Sequence, residues 1–127
     1  MAPTAEEERR LFDRLPGTLP LYEAFREQVL GRLDGVELRV SRTQITFRKR
    51  YGFAVVSLPV RRRKEWPKVC IVVTLGLARR LDNPRIVQAV EPYPGRWTNH
   101  LLVSAPAEVD GQLLDWVEEA YWFSESK

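Results

Sequence analysis

The chain has a single histidine, His100, in the stretch EPYPGRWTNHLL at residues 91–102. A histidine changes its charge near neutral pH, so it serves as an acid, a base or a hydrogen-bond donor. In a regular strand His100 shares one face with Thr98 and Leu102, because side chains alternate between the two faces. We therefore expect a partly buried ring on a mixed face. Two interpretations stay open: a catalytic histidine, or a structural one bonded to a backbone or side-chain partner.

A second group of reactive side chains is the basic run at residues 61–64, which is followed closely by Trp66 and Lys68. Arginine forks bind phosphate oxygens bidentately, and a tryptophan ring stacks on a base. The alternative is a solvated loop whose charges keep a strand end from aggregating. The predicted phosphate ligands of this run are Arg61, Arg62, Arg63 and Lys64.

Charge is distributed unevenly along the 127 residues. Residues 36–68 carry ten basic and two acidic side chains, a net charge of +8. The segments before and after it carry −2 and −3, so the whole chain has a net charge of only +3. A basic block raises the local concentration of anionic partners. The pattern therefore indicates an anionic partner.

The C-terminal segment is rich in aromatic residues. At helical spacing Trp116 and Trp122 lie off the main apolar stripe. Two such tryptophans indicate either a surface for a protein partner or packing against the N-terminal helices.

Several kinds of chemistry lack their motifs. The sequence has no phosphate-binding GxxxxGK[ST] loop and no GxGxxG after a strand. One histidine and one cysteine do not make a zinc site of the usual composition. Cys70 lies in the apolar run VCIVVTLGL and is expected to be a small buried hydrophobe. We therefore predict no metal and no cofactor, and we favour a binding function over an enzymatic one.

The elements that would position these residues begin with helices. Residues 1–15 indicate a short charged helix, ended by Pro16 and Gly17. Thr18 is a candidate N-cap for a second, amphipathic helix that ends at the Asp34-Gly35 turn. Asp110 is a candidate N-cap for a third helix, which ends near residue 123.

Between these helices lie strand-like runs. VELRV and QITFRKR alternate apolar and polar residues, which is typical of half-buried strands. FAVVSLPV and WTNHLLVS are further strands, and residues 85–90 are either a strand or a single helical turn. VCIVVTL is apolar at almost every position and predicts a central strand covered on both faces.

This order of elements predicts an α+β fold: an antiparallel sheet of five or six strands, two N-terminal helices and one C-terminal helix. We assign residues 1–17 as a helical extension and residues 18–127 as a single domain. No signal peptide and no membrane-spanning apolar run is apparent, so we expect a cytoplasmic protein without a membrane partner.

Four segments together resemble a known family: LYEAFREQVL, TFRKRYGFAVVSLP, LARRLDNPRI and EPYPGRWTNHLLVSAPAEVDGQLLDWVEEAY. Over residues 18–123 the chain resembles the bacterial domain of unknown function 5655. The resemblance implies a small α+β domain for which no activity is settled. It also implies a set of characteristic positions, which in this chain are Arg80, Asp82, Arg85, Tyr93, Arg96, Trp97 and His100.

Taken together, these observations favour a binding module for an anionic partner. Nucleic acid or a nucleotide is the first candidate for that partner. In this hypothesis the basic run holds phosphates, assisted by bidentate donation from Arg80, Arg85 and Arg96. Tyr93 or Trp97 supplies a stacking surface. The alternatives are a homodimer or protein-interaction module and, third, a small-substrate enzyme using His100, with Asp82 the first acidic partner to consider.

Overall fold

The computed structural model describes residues 5–59 and 63–126. The segments with alternating apolar and polar residues are strands of one sheet. The helices are α1 (Ala5–Phe12), α2 (Leu19–Arg32) and α3 (Gly111–Glu125), and a 3-10 turn spans Pro106–Glu108. The strands are β1 (Glu37–Val40), β2 (Gln44–Arg48), β3 (Gly52–Ser57), β4 (Ile71–Leu77), β5 (Ile86–Tyr93) and β6 (Arg96–Val103). The predicted α+β class, with two N-terminal helices and one C-terminal helix, is confirmed.

The sheet has the strand order β1-β2-β3-β4-β6-β5, and every neighbouring pair is antiparallel. The first four strands therefore follow one another as a meander. The last two form a hairpin that reverses direction, so that β6 lies next to β4 and β5 is an edge strand.

The stretch around residue 94 is the tight turn of this last hairpin. Only Pro94 and Gly95 separate β5 from β6, and Gly95 adopts a φ of 75°. Glycine reaches that left-handed conformation without steric cost. Pro92 is tolerated within β5 because an edge strand has backbone groups that make no ladder bond. The prolines and glycine thus turn the chain directly into the strand that carries His100.

The hydrophobic core lies between the helices and one face of the sheet. Phe25 of α2 meets Phe47 of β2 edge to face, with ring centroids 5.3 Å apart, and both side chains are fully buried. The third helix packs on β3 and β4, and Tyr121 meets Phe53 at 5.4 Å. Two helices thus cover the sheet from the same side.

The prediction that β4 is covered on both faces is wrong. Ile71, Val73 and Leu75 are fully buried under the helices, whereas Val72 and Thr74, on the other face, are only half-buried. The sequence suggested otherwise because Val72 is apolar although it lies on the uncovered side. The sheet is therefore open on one face.

The first helix contributes to the same core through Leu11 and Phe12. Phe12 stacks on Tyr22 with ring centroids 4.6 Å apart. The Tyr22 hydroxyl donates to the buried carboxylate of Glu8, which also accepts from Arg26 Nε at 2.8 Å. Burial and the neighbouring Glu8 carboxylate raise the pKa of Tyr22. This cluster fastens α1 to α2. Within the described ranges, no helix is long and apolar enough to cross a membrane.

Candidate nucleic-acid interface

The uncovered face of the sheet, which we call the open face, is crossed by one row of side chains. Residues in register on neighbouring strands share a face, so the pairing identifies the row directly. From one edge of the sheet to the other, the row consists of Arg39, Thr46, Val55, Thr74, His100 and Gln88. Its six members come from six different strands. The single histidine of the chain therefore lies on the open face, as its predicted alternation requires.

His100 is held by its neighbour on β4. Its Nδ1 atom lies 2.8 Å from Thr74 Oγ1, a hydrogen-bond distance. Partial burial lowers the pKa of His100, since a charged ring is solvated less well there. The ring is thus neutral at pH 7 and fixed in orientation, while Nε2 is the ring nitrogen left for another partner.

Next to this pair the open face has a gap in its side chains. Gly76 is the cross-strand partner of Thr98, and it lies two residues beyond Thr74 on the same face. A Cβ atom added at Gly76 would meet nothing within 4 Å. The backbone of β4 is therefore accessible here, in a depression beside His100.

The covered side of the molecule balances its charges internally. The third helix and its N-cap carry acidic side chains, and each of these approaches a cation from another element. The resulting ion pairs are Arg85–Asp110 at 2.9 Å, Arg32–Asp115 at 2.5 Å, Arg79–Glu119 at 2.9 Å, Arg32–Glu118 at 3.4 Å and Lys49–Glu125 at 3.6 Å. The hydrogen bond from Arg79 holds the pKa of Glu119 below its usual range. The pKa of Asp110 is lowered mainly by the N–H of Leu113 and further by Arg85.

Arg85, a predicted anion ligand, belongs to this covered side. Its guanidinium donates to Asp110 at 2.9 Å, to Gln112 at 3.1 Å and to the Glu108 carbonyl at 2.7 Å, and it lies over the Trp116 ring. Asp110 also accepts from Leu113 N at 3.0 Å, so its predicted role as N-cap is confirmed. Arg85 thus joins the start of β5 to α3 and has few donors left for a ligand.

The cations of the open face have no such partners. Among residues 5–59 and 63–126, no carboxylate forms an ion pair with Arg39 or Arg48. Arg48 donates from NH2 to the Arg50 carbonyl at 3.1 Å, but its Nε is buried and lacks a hydrogen-bond partner. These two arginines were not among the predicted ligands. Their alternation within β1 and β2 was the signal that places them together.

The predicted basic run lies at one end of the sheet, which we call the loop end, in the connection between β3 and β4. Arg61 and Arg62 fall outside the described residues. Arg63 and Lys64 are exposed, and the Arg63 guanidinium lies 6.0 Å from the centre of the Trp66 ring. A cation over an aromatic face gains a modest electrostatic attraction. The described part of the run is therefore accessible to an anion.

Tyr93 and Arg96 lie at the opposite end of the sheet, which we call the hairpin end. Tyr93 is 66% exposed and pairs with the exposed Arg96 across the hairpin turn. Arg80 is exposed in the β4–β5 connection, at the rim of a groove of about 390 Å³ along the edge of β5. Trp97 pairs with the buried Leu77, so it lies on the covered side, away from His100.

The predicted ligands thus do not converge on one small pocket. The seven residues of β4 separate the loop end from the hairpin end. At about 3.3 Å per residue this separation is roughly 20 Å. His100 lies between the two ends, opposite the middle residue of β4.

One important polar residue escaped the sequence analysis. Asn99 is fully buried beneath the sheet, on the face opposite to His100. Its side chain accepts from Leu81 N at 2.9 Å and donates to the Arg79 carbonyl at 3.1 Å. It thereby positions the connection that carries Arg80. An asparagine among the apolar core positions 101 and 103 was the signal available.

The two tryptophans of α3 have different environments. Trp116 is partly buried and packs against the core. Trp122 is 61% exposed and meets Tyr121 edge to face. Cys70 is fully buried, as predicted. Within the part of the chain that the structure describes, no three acidic, histidine or cysteine side chains are grouped to hold a metal ion.

These features define a small α+β domain, with a sheet covered by helices on one face and lined by polar and cationic side chains on the other. A family comparison gives the particular group. The chain belongs to the family described as a domain of unknown function, DUF5655, whose model matches residues 12–124. The resemblance proposed from the sequence is confirmed. No curated protein and no solved structure matches the chain.

Proposed function

We propose that this domain binds single-stranded nucleic acid on its open face, without catalysing a reaction. The observation that carries the proposal is the segregation of charge. The acidic side chains of α3 pair with cations on the covered side. Five cations of the open face and the two ends form no ion pair with a carboxylate among the described residues: Arg39, Arg48, Arg63, Lys64 and Arg96. Phosphates supply the complementary charge.

The separation of the two basic ends favours a chain of phosphates over one nucleotide. Arg63 and Lys64 lie at the loop end, and Arg96 lies at the hairpin end, roughly 20 Å away along β4. A single phosphate group contacts only one of these ends. An extended polyanion that crosses the open face contacts both.

The surface between the ends favours a single strand over a duplex. Val90 is 44% exposed on the open face, and Tyr51 and Tyr93, at the hairpin end, are 41% and 66% exposed. Unpaired bases stack on aromatic rings and cover apolar side chains, with a gain of about 1–3 kcal/mol per base. A duplex keeps its bases stacked inside and offers this surface only phosphates.

The experiment is a fluorescence-anisotropy titration with labelled single- and double-stranded DNA and RNA at two salt concentrations. We expect single strands to bind more tightly and to lose affinity steeply with salt. In Arg63→Ala/Arg96→Ala, affinity at low salt should fall about tenfold, a loss of about 1.4 kcal/mol. The salt slope should fall by about 1.4, since each lost phosphate contact removes about 0.7 for a single strand.

The matched control removes two arginines with the same total charge from the covered side. In Arg32→Ala/Arg79→Ala both lost guanidinium groups were paired with carboxylates of α3. We expect its affinity to stay within about threefold of the native protein. Absence of binding to every nucleic acid at low salt would overturn the proposal, and so would an equal loss in both double variants.

A second candidate function is protein binding through α3, and Trp122 is the observation that favours it. This side chain is 61% exposed on a helix with no basic residue. Exposed tryptophans are enriched at protein interfaces. Sedimentation of the protein over a range of concentrations tests for a homodimer, which Trp122→Ala would dissociate. A monomer at every concentration, unchanged by the substitution, contradicts the homodimer form of this candidate.

Catalysis by His100 receives less support. Its bonded partner is Thr74, and its other neighbour in the row is Gln88, so neither flanking side chain titrates near neutral pH. Asp82 follows Leu81, whose N–H binds Asn99 on the covered face, whereas His100 lies on the open face. A general acid-base pair needs both groups within hydrogen-bond reach of one substrate.

A further inference from the structure

Gly76 has no role in the fold that its surroundings explain. Its φ lies outside the left-handed region, which within the described residues only Gly17, Gly35 and Gly95 occupy. No packing contact requires it either, because an added Cβ would meet nothing within 4 Å. A glycine inside a strand weakens that strand, and such a residue often marks a bulge, a tight bend, or the close approach of a ligand or another backbone. The register between β4 and β6 is regular through Gly76, so no bulge in that pairing accounts for it.

The surroundings of this glycine form a small, polar depression. Thr98 lies opposite Gly76, and Thr74 and His100 form the next pair on the same face. The hydrogen bond of 2.8 Å between Thr74 and His100 fixes the plane of the imidazole. Val90, which pairs with Thr98, adds a 44% exposed apolar side chain.

The chemistry of this depression suits a flat, neutral ring with hydrogen-bonding edges. Two threonine hydroxyls act as donors or acceptors, and the free ring nitrogen of His100 adds one more polar group. Its lowered pKa keeps that ring uncharged at pH 7, so it offers a phosphate no charge. The nearest cation along β6 is Arg96, two residues before Thr98, which is about 7 Å along the strand.

From this geometry we infer that one unstacked nucleobase of the bound strand lies over Gly76, against His100 and between Thr74 and Thr98. The inference rests on the proposed function and adds the place where a base, as distinct from a phosphate, is recognised. Arg96 then holds a neighbouring phosphate. Adaptable hydroxyls accept more than one base edge, so the subsite discriminates weakly between sequences.

The test compares a labelled single-stranded oligonucleotide with an abasic oligomer of the same length and charge. The native protein should bind the oligonucleotide at least tenfold more tightly. Gly76→Val fills the depression with a side chain that suits a strand, and it should reduce this preference to about twofold or less while leaving the affinity for the abasic oligomer unchanged. Gly76→Ala should have a smaller effect in the same direction.

The matched control is Gly31→Val, which adds the same side chain on α2, where a Cβ atom likewise meets nothing within 4 Å. It should keep the native preference, and circular dichroism should show all three variants folded. Equal binding of both oligomers by the native protein would overturn the inference and leave the proposed function standing. If the native protein binds neither oligomer, both the inference and the proposed function are overturned.

Discussion

The two faces of the sheet are built from the same strands but follow different rules. On the covered face, buried side chains pack against α2 and α3, and the ionic groups at its rim are paired. On the open face, side chains are half-buried, arginines lack carboxylate partners among the described residues, and one glycine leaves the backbone accessible. The covered face therefore contributes most of the stability, and the open face is the one fitted for a ligand.

The largest effect should come from the core of the covered face. Phe47 is fully buried and meets both Phe25 and Tyr22. We expect Phe47→Ala to lower the free energy of unfolding by about 3–5 kcal/mol, through lost burial and a residual cavity. Val55→Ala, on the open face of the neighbouring strand, should cost only about 1 kcal/mol. Denaturation with urea measures both, and equal losses would contradict the division between the faces.

The next effect concerns the buried amide of Asn99. Asn99→Leu removes the partners of Leu81 N and of the Arg79 carbonyl, so that one buried and one part-buried backbone group lose their hydrogen bonds. We expect a loss of about 2–4 kcal/mol, because each such group costs roughly 1–3 kcal/mol. His100→Leu, one residue further on the open face, should cost less in the same denaturation experiment. The reverse order would show that the histidine matters more to the fold than the amide.

A pair of arginines sharpens the comparison further. Arg85→Ala breaks hydrogen bonds to Asp110, Gln112 and the Glu108 carbonyl, so we expect a loss of about 1–2 kcal/mol of stability. Arg80→Ala removes an exposed cation and should change stability by less than about 0.5 kcal/mol. We expect the opposite order for the affinity of the two variants for single-stranded nucleic acid, which should fall only in Arg80→Ala. Thermal melts and anisotropy titrations on the two variants decide between these orders.

The smallest effect is a pH dependence of stability from His100. Burial lowers its pKa in the folded protein below the ordinary value of 6.5, so the unfolded chain binds more protons as the pH falls. Stability should therefore decline as the pH falls from about 7 to 5.5. The decline should be roughly a few tenths of a kcal/mol, because the ring is half-exposed and solvent screens its charge. His100→Gln should flatten this part of the stability profile, and an unchanged profile would locate the titration elsewhere.

Some of the candidate site could be predicted because strand periodicity is local. The alternation in WTNHLLV places His100 and Leu101 on opposite faces of the strand, and the structure confirms that His100 is partly buried. The hydrogen bond to Thr74, 26 residues earlier, could not be predicted, because register between distant strands depends on the whole sheet. The hydrogen bonds of Arg85 could not be predicted for the same reason, since its partners follow it in the sequence by more than twenty residues.

The sequence by itself determined the α+β class, the order of the elements, the turn at Gly95 and the basic middle segment, because periodicity, turn residues and charge are properties of short stretches. Only the tertiary structure decided which face of β4 the helices cover and which arginines they neutralise. Those outcomes depend on where α3 packs. The sequence of a helix shows which of its side chains are apolar, but it does not show which strands they contact. The open face, where we place the ligand, is what that packing leaves uncovered.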